Sequence, residues 1–192
     1  VGLLGASIAL YRLFSELEPG ATPDRLLALG VYGLGLIGML VTSALYNLSA
    51  PGRWKAALRR WDRAMIFVMI AGSCTPFVVQ ALRPGISRAL CAVVWTVAVV
   101  GATICLRVPR VSDRVLIAMY LGMGWLVLAI LSSLAAKMPA TVLLLLLTGG
   151  IVYSLGVIVH TRVRVAFHNA AWHGMVLAAA GLHLTAVAMV LT

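Results

Sequence analysis

Five polar residues lie inside or at the edges of strongly apolar runs, and their types could do chemistry. Ser43 and Asn47 are four residues apart, as are Asn169 and His173, and Asp62 stands where a third apolar run begins. Residues four apart share one face of a helix. These residues supply a carboxylate, an imidazole, a hydroxyl and two amides. If they lie at one depth in the membrane, they could bind a cation, orient a water molecule or hold three helices together by hydrogen bonds.

The composition indicates the environment in which these residues lie. Of the 192 residues, 62% are hydrophobic and 10% are charged, against about 45–50% apolar and about 25% charged in soluble domains. A soluble fold would lack the polar residues needed to cover so much apolar surface. The sequence therefore predicts an all-α integral membrane protein, built as one transmembrane domain over residues 1–192.

Long uncharged stretches, separated by short connections with proline, glycine or charge, predict seven membrane-spanning helices. The first is too short to cross a hydrocarbon core of about 30 Å, so we expect it to be truncated at its start. The seven predicted spans are 1–14, 26–48, 61–82, 89–106, 115–134, 140–160 and 170–192.

Basic residues are distributed unevenly between the two sets of connections. The second–third, fourth–fifth and sixth–seventh connections, with the adjoining helix ends, carry ten of the 15 lysines and arginines, and the opposite side carries five. Because cytoplasmic loops are enriched in basic residues, this places the N-terminus in the cytoplasm and the C-terminus outside.

The net charge of +10 does not indicate a nucleic-acid partner, because the charged residues all flank apolar runs. Basic residues in these positions are typical of membrane topology signals and attract anionic lipids. The predicted partners are therefore membrane lipids, and no nucleic-acid binding is predicted.

Short motifs on separate predicted spans occur in a fixed order between Tyr32 and His183. They are SALYN at 43–47, WD at 61–62, AGSCTPF at 71–77, MGW at 123–125, GGIVYSLG at 149–156 and NAAWH at 169–173. As a set they resemble the hemolysin III family of bacterial membrane proteins, which is related to the adiponectin and progestin receptors in a superfamily that includes ceramidases. The resemblance implies a seven-helix protein in a bacterial inner membrane, with its N-terminus inside.

The resemblance also implies a zinc site on the cytoplasmic side. In the family, three histidines at the positions of Asn47, Asn169 and His173 hold the ion, Asp62 holds or orients its water, and Ser43 lies beside it. Zinc with an open coordination position can activate water for hydrolysis of a lipid amide. The implied catalytic residues are Asp62 and Ser43, and the implied metal ligand is His173. Because Asn47 and Asn169 replace two histidines, the site is a degraded form of the family's zinc site.

Three functions therefore stay open at this point. In the first, the polar residues form a cluster without zinc that binds a lipid headgroup or a cation. In the second, the protein is a zinc-dependent hydrolase of lipid amides or esters. The third is lysis of host membranes by pore formation, as the family name implies, although no predicted span carries the polar stripe that a water-filled pore needs.

Overall fold

Helices account for the regular structure of the described chain, which contains no strand. The computed structural model describes residues 2–17, 21–108, 110–162 and 167–191, without the side chains of Arg162, His168 and Asn169. The elements are α1 (Gly2–Glu16), α2 (Pro23–Leu48), α3 (Lys55–Ala81), α4 (Pro84–Arg107), α5 (Asp113–Gly124), a 3₁₀ helix (Trp125–Ile130), α6 (Leu131–Lys137), α7 (Ala140–Arg162) and α8 (His168–Leu191).

Six segments of the described chain are long and apolar enough to cross a membrane, which confirms an all-helical membrane protein. One of them runs from Asp113 to Lys137 and comprises α5, the 3₁₀ helix and α6. Helix α1 has 15 residues and is therefore about 22 Å long, short of a hydrocarbon core of about 30 Å. Its buried residues Ala6, Leu10 and Leu13 join the core formed with α2. The total of seven spans stays a prediction.

The prediction that the third helix begins at the WD motif is wrong, because α3 begins at Lys55. A basic residue ends an apolar run, but it does not end a helix. The helix therefore continues through Arg59 and Arg60 before it enters the apolar segment. Asp62 consequently lies two turns inside α3, beyond the first turn in which the helix dipole stabilises a carboxylate.

The buried apolar residues form two cores. The first includes Leu29 and Tyr32 of α2, Leu134 of α6 and Val187 of α8. The second lies between α3, α4 and α5 and includes Phe67, Val94, Leu116 and Met123. The first half of the span from Asp113 to Lys137 therefore packs into the second core, and its second half packs into the first core.

Glycines allow α2 and α3 to pack with their backbones in contact. A Cβ atom on Gly72 would lie 2.9 Å from the Val31 carbonyl oxygen, and one on Gly35 would lie 3.1 Å from the Met69 Cα. Small residues at such positions permit the close approach on which helix packing in membranes depends. This contact fixes α3, and with it Asp62, against the face of α2.

Hydrogen bonds and polar contacts between side chains and neighbouring helices stabilise the packing of the other helices. Trp95 of α4 donates its indole N–H to the Thr75 hydroxyl of α3 at 3.1 Å, and Trp125 donates to the Ser154 hydroxyl of α7 at 3.2 Å. His183 of α8 has its Nε2 3.3 Å from the Leu146 carbonyl oxygen of α7. This contact gives a histidine in the middle of a predicted span a polar partner on the neighbouring helix.

One end of the bundle gathers the end of α2 and the beginnings of α3 and α5, and we call it the basic end. Lys55 Nζ donates to the Ser49 carbonyl oxygen at 2.8 Å, which joins α2 to α3. Arg63 of α3 forms an ion pair with Asp113 at the start of α5. Tyr120 of α5 donates its hydroxyl to the Arg63 carbonyl oxygen at 2.9 Å. The beginning of α3 is therefore held from two sides.

Candidate functional site

The candidate site is a polar cluster at the basic end, formed by Ser43, Asn47, Asp62 and His173. The Ser43 hydroxyl and the His173 imidazole lie close enough to the Asp62 carboxyl group to interact with it electrostatically. Asp62, Ser43 and His173 are all half-buried. The structure thus brings these three side chains of α2, α3 and α8 near one another, and their common depth in the membrane stays a prediction.

Asn47 belongs to the cluster through Ser43. Its amide nitrogen donates to the Ser43 carbonyl oxygen at 2.8 Å and lies 3.4 Å from the Ser43 hydroxyl oxygen. Both contacts are within α2, and the Asn47 side chain is exposed. The amide therefore supports the hydroxyl that faces Asp62. Asn169, the fifth predicted residue, is the second residue of α8, and its side chain lies outside the described residues.

The donor atoms of the cluster do not suit zinc. Structural and catalytic zinc sites use three or four ligands drawn mainly from histidine, cysteine and carboxylates. Among the described side chains, no group of three or more His, Cys, Asp or Glu residues could hold a metal ion. The strong ligands in the cluster are His173 and Asp62, and the remaining donors are amide and hydroxyl oxygens, which suit hard cations such as Mg²⁺ or Ca²⁺.

The arginine that follows Asp62 in the sequence forms its ion pair with a different carboxylate. Arg63 interacts electrostatically with Asp62, but its ion pair is with Asp113, where the side chains are 24% and 63% exposed. Within the described residues, Arg63–Asp113 is the one ion pair found between side chains. Asp62 therefore keeps a carboxylate that no described cation neutralises by direct contact.

A second feature of the basic end was not predicted from the sequence. The basic residues at the start of α3 do not simply face solvent: they line a cleft that extends to the end of α4. The sequence carries a signal for it, because Lys55, Arg59 and Arg63 are spaced four residues apart and so share one side of a helix.

The chain is similar to known proteins over most of its length. The family described as Haemolysin-III related matches residues 2–184. The "Hemolysin-3 homolog" of Bacillus subtilis (strain 168) is 32% identical over 149 residues, which cover 77% of this chain and 69% of that protein. The "Hemolysin-3" of Bacillus cereus is 28% identical over 177 residues, covering 92% of this chain and 81% of that protein. No solved structure matches the chain. The match over residues 2–184 shows that this chain belongs to the haemolysin-III-related family.

Proposed function

We propose that the polar cluster binds a positively charged group at the cytoplasmic side of the membrane, and that it does so without zinc. The group is a hard metal cation or the amine of a lipid headgroup, which share the positive charge that a carboxylate recognises. The observation that carries this proposal is the half-buried Asp62 carboxylate, which interacts electrostatically with the half-buried Ser43 and His173 side chains.

Two further points support it. A charged group within a membrane-spanning helix is costly unless it is paired, so an Asp62 without an ion-pair partner among the described residues favours a bound cation. The cluster also offers the Asn47 amide oxygen at a position where the resemblance to the family implies an imidazole. This exchange favours hard cations and ammonium groups over zinc.

Elemental analysis and titration of the purified chain test this proposal. After dialysis against trace zinc, magnesium, calcium and manganese, we expect zinc far below one ion per chain. Asp62→Asn should weaken binding of Mg²⁺ or Mn²⁺, or of phosphatidylethanolamine in nanodiscs, by about 10–150-fold, since hydrogen bonds to charged groups contribute about 1.5–3 kcal/mol. Calorimetry measures the metal arm, and native mass spectrometry measures the lipid arm.

Asp24→Asn is the matched control, because Asp24 is an exposed carboxylate in the first turn of α2, away from the cluster. It should leave the binding of the metal ion and the binding of the lipid unchanged. Stoichiometric zinc that is lost on His173→Ala would overturn the proposal and favour the zinc-dependent lipid hydrolase, whose activity on lipid amides would then be assayed. Unchanged binding by Asp62→Asn in both arms would also contradict it. Lysis, which the names of the relatives suggest, would be indicated by dye release from liposomes.

We also propose that the chain crosses a bacterial inner membrane seven times, with its N-terminus in the cytoplasm and its C-terminus outside. Six apolar segments and the packing of α1 on the same core support the count. Ten of the 15 basic residues fall on the side that contains the basic end, which supports a cytoplasmic location for that end. The two relatives named above are bacterial proteins.

Reporter fusions at the C-terminus test this topology. Alkaline phosphatase fused after Thr192 is expected to be active, because the enzyme folds only outside the cytoplasm, and green fluorescent protein at the same place is expected to be dark. The opposite pair of results would place the C-terminus in the cytoplasm, and either the span count or the orientation would be wrong.

A further inference from the structure

A cleft of about 410 Å³ opens at the basic end between the start of α3 and the end of α4. Its polar wall belongs to the first turns of α3, and its other wall is formed largely by the chain at and beyond the end of α4. The basic residues that line it are Lys55, Arg59, Arg60 and Arg63. The apolar wall includes Val108 and Val111.

The cleft retains positive charge, because carboxylates neutralise only part of it. Arg63 is paired with Asp113. Lys55 is held by backbone carbonyl oxygens of Tyr46 and Ser49, which fix its position but carry no net charge. Arg59 and Arg60 form no ion pair with any described residue. Three of the four cations that line the cleft are therefore available to an anion.

The shape of the cleft favours an anion that also carries an apolar part. Guanidinium groups bind phosphate oxygens through two parallel hydrogen bonds. The valines opposite them lie next to the apolar segment of α4, where an acyl chain would continue into the hydrocarbon core. Basic pockets between membrane helices on the cytoplasmic side suit the headgroups of anionic lipids.

We propose that this cleft binds the phosphate of an anionic phospholipid through Arg59 and Arg60, with Lys55 adding charge. The site is separate from the polar cluster in its chemistry, because it recognises an anion and the cluster recognises a cation. Failure of cation binding at Asp62 would therefore leave this proposal untouched, and the reverse also holds.

Lipid retention by the full chain tests the proposal. The protein is placed in nanodiscs of phosphatidylcholine with a minor fraction of phosphatidylglycerol, and native mass spectrometry counts the phosphatidylglycerol that stays bound. Arg59→Gln with Arg60→Gln should lower the affinity on the order of 30-fold, at about fivefold for each basic residue at a membrane surface. Arg59→Lys with Arg60→Lys preserves the charge and should recover part of the binding.

The matched control is Arg83→Gln with Arg88→Gln, which removes the same charge from the opposite end of α4. It should retain phosphatidylglycerol like the wild type, and thermal melting of each variant checks its folding. Equal losses in both double variants would show a general charge effect and overturn the site, as would unchanged binding by the Arg59/Arg60 variant. Displacement of the lipid by millimolar glycerol phosphate would overturn a lipid ligand in favour of a soluble phosphate. Reduced retention confined to Arg59 and Arg60, with no such displacement, supports the proposal.

Discussion

Asn47→His combined with Asn169→His is expected to give this chain a tightly bound zinc ion. The two changes would add imidazoles to α2 and α8, the helices that flank Asp62 and carry Ser43 and His173. Three imidazoles with an open fourth position form a common catalytic zinc site. We expect zinc affinity to rise by more than the 10–100-fold that outer-shell partners alone contribute. Elemental analysis gives the stoichiometry, and competition with a chelator gives the affinity.

The control for this experiment is Asn47→Ala combined with Asn169→Ala, which removes the amides without adding ligands. It should retain as little zinc as the wild type. Each single histidine variant should show an intermediate gain. If the double histidine variant gains no zinc, the ends of α2 and α8 do not bring positions 47, 169 and 173 to a common point, and the view of the cluster as a degraded zinc site fails.

Gly72→Ala is expected to destabilise the protein by about 1–3 kcal/mol, which is typical of overpacking a well-packed contact. The added methyl group would meet the Val31 carbonyl oxygen at 2.9 Å and the Tyr32 Cα at 3.4 Å. Both neighbours are backbone atoms, so α2 and α3 must separate to admit the methyl group. Thermal unfolding in detergent, followed by circular dichroism, measures the loss as a lower Tm.

Gly30→Ala provides the comparison on α2, because a Cβ at Gly30 has no neighbour within 4 Å. Alanine favours the helix by up to about 1 kcal/mol relative to glycine, so this variant should be neutral or slightly stabilised. Equal changes in Tm for the two variants would show that the contact between α2 and α3 does not determine stability.

The apolar runs of the sequence predicted the helix bounds well where the helix ends close to the point at which the charged residues begin. The predicted spans 26–48 and 140–160 correspond closely to α2 (Pro23–Leu48) and α7 (Ala140–Arg162). The prediction failed at α3, because the basic turn from Lys55 to Arg60 is helical although it is polar. The apolar runs also gave no sign of the 3₁₀ helix, since the residues from Trp125 to Ile130 are as apolar as those around them.

The cluster was predictable in outline. A spacing of four residues places Ser43 and Asn47 on one face of α2, and the loop charges predict that this face lies at the same depth as Asp62 and His173. The hydrogen bond from Asn47 to its own helix was not predictable, because an amide side chain has several possible partners within reach. The basic cleft was missed for a different reason: it exists only once α3 and α4 pack, and the sequence shows the charges but not the opposing wall.

The 3₁₀ helix changes the angular register of the span that contains it. Met123 and Leu134 are 11 residues apart (134 − 123), and in an uninterrupted α-helix they would point within about 20° of each other. Six residues at three per turn add about 120° of rotation, since each turns the chain by about 120° instead of about 100°. Met123 therefore faces the core between α3 and α4, and Leu134 faces the core shared with α2 and α8. This local overwinding lets one span contribute side chains to both cores.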